Sequence, residues 1–225
     1  MNMFTNRKEA GNLLAKKLME FSNNKDALIV AIPRGGLPVG AAIAEKLNLP
    51  LDVVLSKKIG HPLNKEYAIG AVTLKNSILT TDIQGVSREY IEEETQNIRA
   101  LLQKRFQMYY GNKKPKSFKD KIIIVVDDGV ATGNTLISSI QLIEMENPSK
   151  IIVALPVAPK SALNRIATLS KVNKIICLLT PTIFNAVGQF YRNFNQVSDE
   201  EAIEEIQTDP LAVQTSADPQ IDIEE

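Results

Sequence analysis

The 225 residues predict an α/β chain: a doubly wound, mainly parallel sheet with helices on both faces. Three observations carry this. Apolar β-forming runs alternate with helix-period segments along most of the chain, as repeated strand–helix–strand units do. The run 122–126, IIIVV, has no polar break, which fits a strand buried on both faces. Two such runs, 27–32 and 122–126, end in glycine-bearing turns that lead straight into helical patterns, the connection parallel strands require.

Taken in order, residues 7–21 place Ala10, Leu13, Leu14, Leu18 and Phe21 at helical spacing and predict an amphipathic helix. The strand over 27–32 ends in Pro33-Arg34-Gly35-Gly36. Two glycines after an arginine allow close backbone approach to an anion, and Pro38 suits the first turn of a helix over 39–47. The plainer reading, an ordinary strand–helix turn, stands beside it. After a strand at 52–55, the polar and basic stretch 56–67, broken by Gly60 and Pro62, reads as a loop. It is either a solvated connection or a mobile lid whose Lys57 and Lys58 close over a phosphorylated ligand. Their place at a strand end favours the lid, and solvation is the reading for His61. Segments 68–73 and 77–82 predict a hairpin turning at Lys75-Asn76. Ser87 is a candidate N-cap for a long helix that carries Glu89, Glu92, Glu93 and Glu94 near its positive end. Its apolar stripe is Ile91, Ile98, Leu101, Leu102 and Phe106. Further strands fall at 150–157 and 174–179, with a helix over 158–169 between them.

Composition limits the function classes. One His and one Cys make a zinc site improbable, and Cys177 lies in the apolar run IICLL, the setting of a buried structural thiol. No apolar run is long enough to cross a bilayer, and the first fourteen residues lack the core of a signal peptide, so a cytoplasmic location is expected. All 26 Lys and Arg precede Ser198, whereas ten of the 26 acids follow it; with 26 bases against 16 acids, residues 1–197 carry about +10. That excess favours an anionic ligand, and without a basic stripe interleaved with aromatics a small one is preferred to nucleic acid. From Thr208 the tail holds prolines and acids but no bases and is expected to be disordered.

The chain is organised around 121–135, KIIIVVDDGVATGNT. Asp127 and Asp128 end the strand; Gly129, Val130, Ala131, Thr132, Gly133, Asn134 and Thr135 form a turn that opens a helix at Leu136. Such a turn directs backbone N–H groups and a helix dipole at one spot, which suits a phosphate. The two acids, one step earlier, suit sugar hydroxyls. Phosphate and hydroxyls together describe a ribose 5-phosphate.

Residues 125–135 resemble the signature of type I phosphoribosyltransferases, the loop that binds 5-phosphoribosyl-1-pyrophosphate (PRPP), and Pro33-Arg34-Gly35-Gly36 falls where that family places its pyrophosphate turn. The resemblance runs from about 25 to 197 and is similar to a bacterial group of phosphoribosyltransferases without an assigned acceptor. It implies a type I phosphoribosyltransferase-like fold in a single domain over 1–207, with a small hood near 180–197, a lid near 56–70 and the tail at 208–225. It implies transfer of the phosphoribosyl group to a nitrogen acceptor, most naturally a nucleobase, with release of pyrophosphate. By the same resemblance, Asp127 and Asp128 hold the ribose 2- and 3-hydroxyls, residues 131–135 wrap the 5-phosphate with Gly129 and Val130 in the same PRPP-binding loop, and Arg34, Gly35 and Gly36 take the pyrophosphate. Lys57 or Lys58 closes over it, and Mg²⁺, held mainly by PRPP near the two acids, offsets charge. The acceptor would lie under the hood near Phe184, Phe190 or Tyr191, in a segment that also holds Phe194; core packing is the plainer reading for each ring. A homodimer is left open. Two rivals stand: a regulator of the same fold that senses PRPP or a nucleotide without turnover, and a phosphoacceptor domain using Asp127-Asp128. A nucleotide-binding P-loop is excluded because Asn134 stands where a lysine is needed.

Overall fold

The computed structural model describes residues 3–79, 85–111 and 114–207. In chain order the elements are α1 (Arg7–Lys17), β1 (Ala27–Ala31), α2 (Gly36–Leu47), β2 (Leu51–Val53), β3 (Lys57–His61), β4 (Asn64–Val72) and β5 (Ser77–Leu79). There follow α3 (Arg88–Tyr110), β6 (Ile122–Val126), α4 (Asn134–Glu144), β7 (Lys150–Val157), α5 (Lys160–Ala167), β8 (Val172–Leu179) and α6 (Asp199–Gln207). Short 3-10 turns lie at Met19–Phe21 and Val187–Phe190.

Five strands form one parallel sheet in the order β2-β1-β6-β7-β8. The unbroken apolar runs are explained by helices on both faces. Ile29, Ala31, Ile124 and Val126 pack with Leu14, Leu18, Leu37 and Ile43 of the α1 and α2 layer. Leu28, Val30, Ile123 and Val125 pack with Leu136, Ile140 and Ile166 of α4 and α5. From β1 the chain moves outward to β2, whereas from β6 it moves the other way to β7 and β8. The strand order therefore reverses between β1 and β6, and the crevice beyond the carboxyl ends of these two strands is where such a sheet receives a ligand. Among the described residues no helix is long and apolar enough to cross a membrane.

The segment read as a loop, 56–67, is instead the start of a second sheet. Strands β3, β4 and β5 form an antiparallel meander in which Lys57 faces Val72 and Val72 faces Ser77. Gly60 marks a bulge rather than a break: the register shifts around it, and a Cβ there would lie 2.5 Å from the Lys65 carbonyl oxygen. The turn at Lys75-Asn76 is as expected, with Thr73 N donating to Asn76 O at 2.8 Å. The end of the expected strand 77–82 and the tail 208–225 lie outside the described residues. Ser87 caps α3, its Oγ accepting from Tyr90 N at 3.2 Å.

Two further features were not expected from the sequence. Asp52, 1% exposed in the middle of β2, accepts from Tyr110 Oη and, through Oδ2, from Lys116 N at 2.6 Å, so the last turn of α3 and the return loop are fastened to β2. Burial pushes its carboxyl up, which these donors oppose. The second feature is α6, which packs on α2 and α3 through Ala202 and Ile206. Its start is a reciprocal capping box, with Ser198 N donating to Glu201 Oε2 at 2.9 Å and Glu201 N to Ser198 Oγ at 3.1 Å. Ile206→Ala removes a buried aliphatic group, so urea denaturation should register a loss of about 2 kcal/mol at unchanged slope; an unaltered midpoint would mean that α6 adds nothing to the core.

Candidate functional site

The turn after β1 and the acids after β6 meet at the strand-order reversal. Ile32 N donates to Val126 O at 2.9 Å, carrying the β1–β6 ladder one residue past the strands. Beyond it the backbones come closer still. A Cβ on Gly36 would lie 2.7 Å from Val126 O, and one on Gly35 would overlap the Asp128 carboxylate. Only glycine permits this contact. Arg34 and Gly35 thus line one pocket of about 360 Å³ together with Asp128, Arg7, Phe194, Gln196 and Val197.

The two acids sit in different surroundings. Asp127 Oδ1 accepts from Asp128 N at 2.8 Å. Burial and then the neighbouring Asp128 charge push the Asp127 carboxyl well up from its ordinary range. Burial also raises Asp128, but Arg7 opposes it: Nε and Nη2 both lie 2.8 Å from Asp128 Oδ2. Tyr191 Oη donates to Asp128 O at 2.5 Å. Asp128 is therefore fixed at its carboxylate and at its backbone, whereas Asp127 has no arginine of its own among the described residues.

Residues 129–135 form a shallow cradle. Val130 N donates to Val157 O at 3.0 Å, anchoring the turn to β7, and Ala131, Thr132, Asn134 and Thr135 are exposed. Gly133 has φ of +84°, a left-handed conformation, and stands as the N-cap of α4. The first amides of a helix have no intrahelical acceptor, so this end is suited to an anion. Arg165, at the end of α5, fastens the cradle from outside by donating to Thr132 O at 2.7 Å and to Asn134 Oδ1 at 2.9 Å. Sequence reading missed both Arg7 and Arg165, because each meets its partner only through the fold, 121 and 33 positions away.

A turn with room for an anion, an acid pair beside it and an amide cradle next in line are the parts from which a sugar phosphate site is made. The model of the phosphoribosyl transferase domain matches residues 3–194. The chain belongs to that family. A Mycobacterium tuberculosis protein provisionally named a phosphoribosyl transferase is 33% identical over 210 residues, covering 90% of this chain and 46% of that protein. The chain thus spans about half the length of the curated relatives it matches. The crystal structure of TT1426 from Thermus thermophilus is 32% identical with a TM-score of 0.82, over 92% of this chain and 98% of that one.

For this phosphoribosyl transferase domain the remaining expected site residues divide. Lys57 and Lys58 are exposed on β3 and do not line the pocket beside Arg34 and Asp128. Phe190 and Tyr191 are buried, each 3% exposed, against Phe4, Ala10 and Val157, so core packing accounts for both, and Phe184 packs on Phe190 with centroids 5.3 Å apart. The hood ring that lines the pocket is Phe194, with the Arg7 guanidinium 3.9 Å from its centroid and Tyr191 stacked on it at 5.0 Å. Arg34 is in turn reached from α6: its Nη1 lies 3.6 Å from Asp199 Oδ1, which also accepts from Tyr109 Oη at 3.1 Å. Among the described residues no three His, Cys, Asp or Glu side chains gather into a metal cage.

The burden on Asp127 has a measurable sign. A carboxyl whose folded pKa is raised holds its proton to higher pH than in the unfolded chain, so ionising it at neutral pH destabilises the fold. Asp127→Asn keeps the acceptor for Asp128 N and cannot ionise. Its melting temperature should match wild type near pH 3, rise above it as pH increases past the ordinary carboxylate range, and level off beyond the titration of Asp127. Equal melting curves at pH 8 would show that Asp127 carries no such burden.

Proposed function

We propose that this domain transfers the 5-phosphoribosyl group of PRPP to a nitrogen nucleophile, most simply a nucleobase, releasing pyrophosphate. The observation that carries the reading is the contact of Gly35 with Asp128, which sets an arginine-bearing anion turn directly against a hydroxyl-binding acid pair, with the amide cradle of residues 129–135 following in the same chain. PRPP has phosphate at both ends of a ribose and needs these three elements in this order.

In this reading the cradle and the hydroxyls of Thr132 and Thr135 hold the 5-phosphate. Asp127 and Asp128 accept hydrogen bonds from the ribose hydroxyls, and Arg34 with the Gly35 and Gly36 backbone takes the pyrophosphate. Bond breaking at C1 leaves positive charge on the ring and negative charge on the leaving group; the acid pair faces the first and Arg34 the second. Lys57 and Lys58 come over the pyrophosphate when the β3–β4 hairpin closes, which excludes water from a centre prone to hydrolysis. Two carboxylates are too few for an all-protein magnesium cage, and this donor set fits a cation carried chiefly by substrate oxygens. Mg²⁺ bound in that way would neutralise pyrophosphate charge. The acceptor enters on the Phe194 side of the pocket.

Protein mixed with PRPP, Mg²⁺ and a panel of nitrogen bases should release pyrophosphate with at least one of them. PRPP binding without release for any base would mark a sensor instead, and absence of PRPP binding would sink the reading. Asp128→Asn should retain the circular dichroism of the native fold and bind PRPP at least tenfold more weakly, the change expected for losing hydrogen bonds to an ionised group. The double change Lys57→Ala with Lys58→Ala should lower turnover more than it lowers affinity for ribose 5-phosphate; equal losses would place the two lysines in simple binding rather than closure.

A further inference from the structure

Arg7 lies 121 positions from Asp128 in sequence, yet it is the only described cation within ion-pairing distance of the acid pair. It makes three kinds of contact at once. Two nitrogens fall on Asp128 Oδ2, Nη1 donates to Asn195 O at 2.7 Å, and the guanidinium plane covers Phe194. Its side chain is only 11% exposed, so these contacts are made largely out of water, where an arginine fork holds its partner in one orientation.

The base of this arrangement is also fixed. Phe4 N donates to Phe190 O and Arg192 N to Phe4 O, both at 2.8 Å, and Asn193 N donates to Thr5 O at 3.0 Å. Phe4 and Thr5 therefore run as one ribbon with the hood, and Arg7, one residue beyond the Asn6 cap, reaches from there to the acid. Gly35 packs against the same oxygen: a Cβ there would lie 2.1 Å from Asp128 Oδ2. A carboxylate whose Oδ2 is gripped by an arginine fork and packed against a glycine backbone is held in one orientation, and the acceptor geometry it offers a sugar hydroxyl is set before the sugar arrives.

We infer that Arg7 is a positioning residue for sugar recognition: it aims the Asp128 carboxylate at the ribose hydroxyls and joins that carboxylate to the hood covering the acceptor side. The inference rests on the ribose-binding role of Asp128 proposed above. It adds that selectivity for the sugar hydroxyls depends on a residue that does not touch the sugar.

The test compares the binding of ribose 5-phosphate and 2-deoxyribose 5-phosphate by calorimetry, with no acceptor needed. Wild-type protein should prefer ribose by roughly tenfold or more, the scale of one hydrogen bond to an ionised group. Arg7→Gln should reduce that preference to below about threefold while binding of inorganic phosphate is unchanged. Arg7→Lys, which keeps the charge without the fork, should give an intermediate preference. Lys8→Gln, which removes the neighbouring exposed cation, should leave the preference intact. If wild type binds neither sugar phosphate, or binds both equally, the ribose site itself is wrong. If wild type prefers ribose and Arg7→Gln retains the full preference, or Lys8→Gln loses as much, Arg7 is not the positioning residue. Should Arg7→Gln fail to fold, Arg7→Lys alone decides: an unchanged preference overturns the inference, and a reduced one upholds it.

Discussion

The structure depends on how closely two loop backbones can approach beyond the ends of β1 and β6. Hydrogen bonding along the strands brings Ile32 to Val126, and from there Gly35 and Gly36 lie against Asp128 and the Val126 carbonyl with no space for a side chain. Any larger residue would part the anion turn from the acid pair. Parted, they would be two ordinary strand–helix connections. Held in contact, they bring Arg34 and the Asp128 carboxylate, opposite in charge, onto the wall of one pocket.

That proximity has an energetic consequence. Two adjacent carboxylates are withdrawn from water, and one arginine serves them both unequally. Asp128 has its charge compensated and its direction fixed. Asp127 bears burial and the repulsion of its neighbour, a local cost of the kind that clusters at functional sites. Arg34, by contrast, is met by a carboxylate, that of Asp199 at 3.6 Å.

What was legible in the sequence follows the range of the physics. The central parallel strands were readable because burial on both faces leaves unbroken apolar runs such as Ile122–Val126, and the edge strands by apolar runs such as IICLL. The cradle at 129–135 was readable because glycine, threonine and a helix start are contiguous. The segment 56–67 was misread because an exposed hairpin strand such as KKIGH has neither an apolar run nor clean alternation, and its bulge glycine resembles a breaker. Arg7 was not legible: in sequence it is a charge in the first turn of an amphipathic helix, and only the folded chain brings it to Asp128. The hood rings were legible as a cluster but not individually, since Phe190, Tyr191 and Phe194 differ only in what lies behind them. The helix α6 had a readable signal in Ser198-x-x-Glu201, with Ala202 and Ile206 one turn apart.

The ribbon that pairs Phe4 with Tyr191 also bears on how the molecule is assembled. Most of the sheet joins strands close in sequence or linked through a single helix, whereas this contact closes a loop of nearly the whole domain. Such a closure is among the entropically dearest steps in folding. On a ribosome the hood cannot seat until the segment around Tyr191 has emerged, and Arg7 cannot be held at Asp128 before the hood is there to hold it. The lock of Arg7 on Asp128 therefore closes only after the segment around Tyr191 is in place.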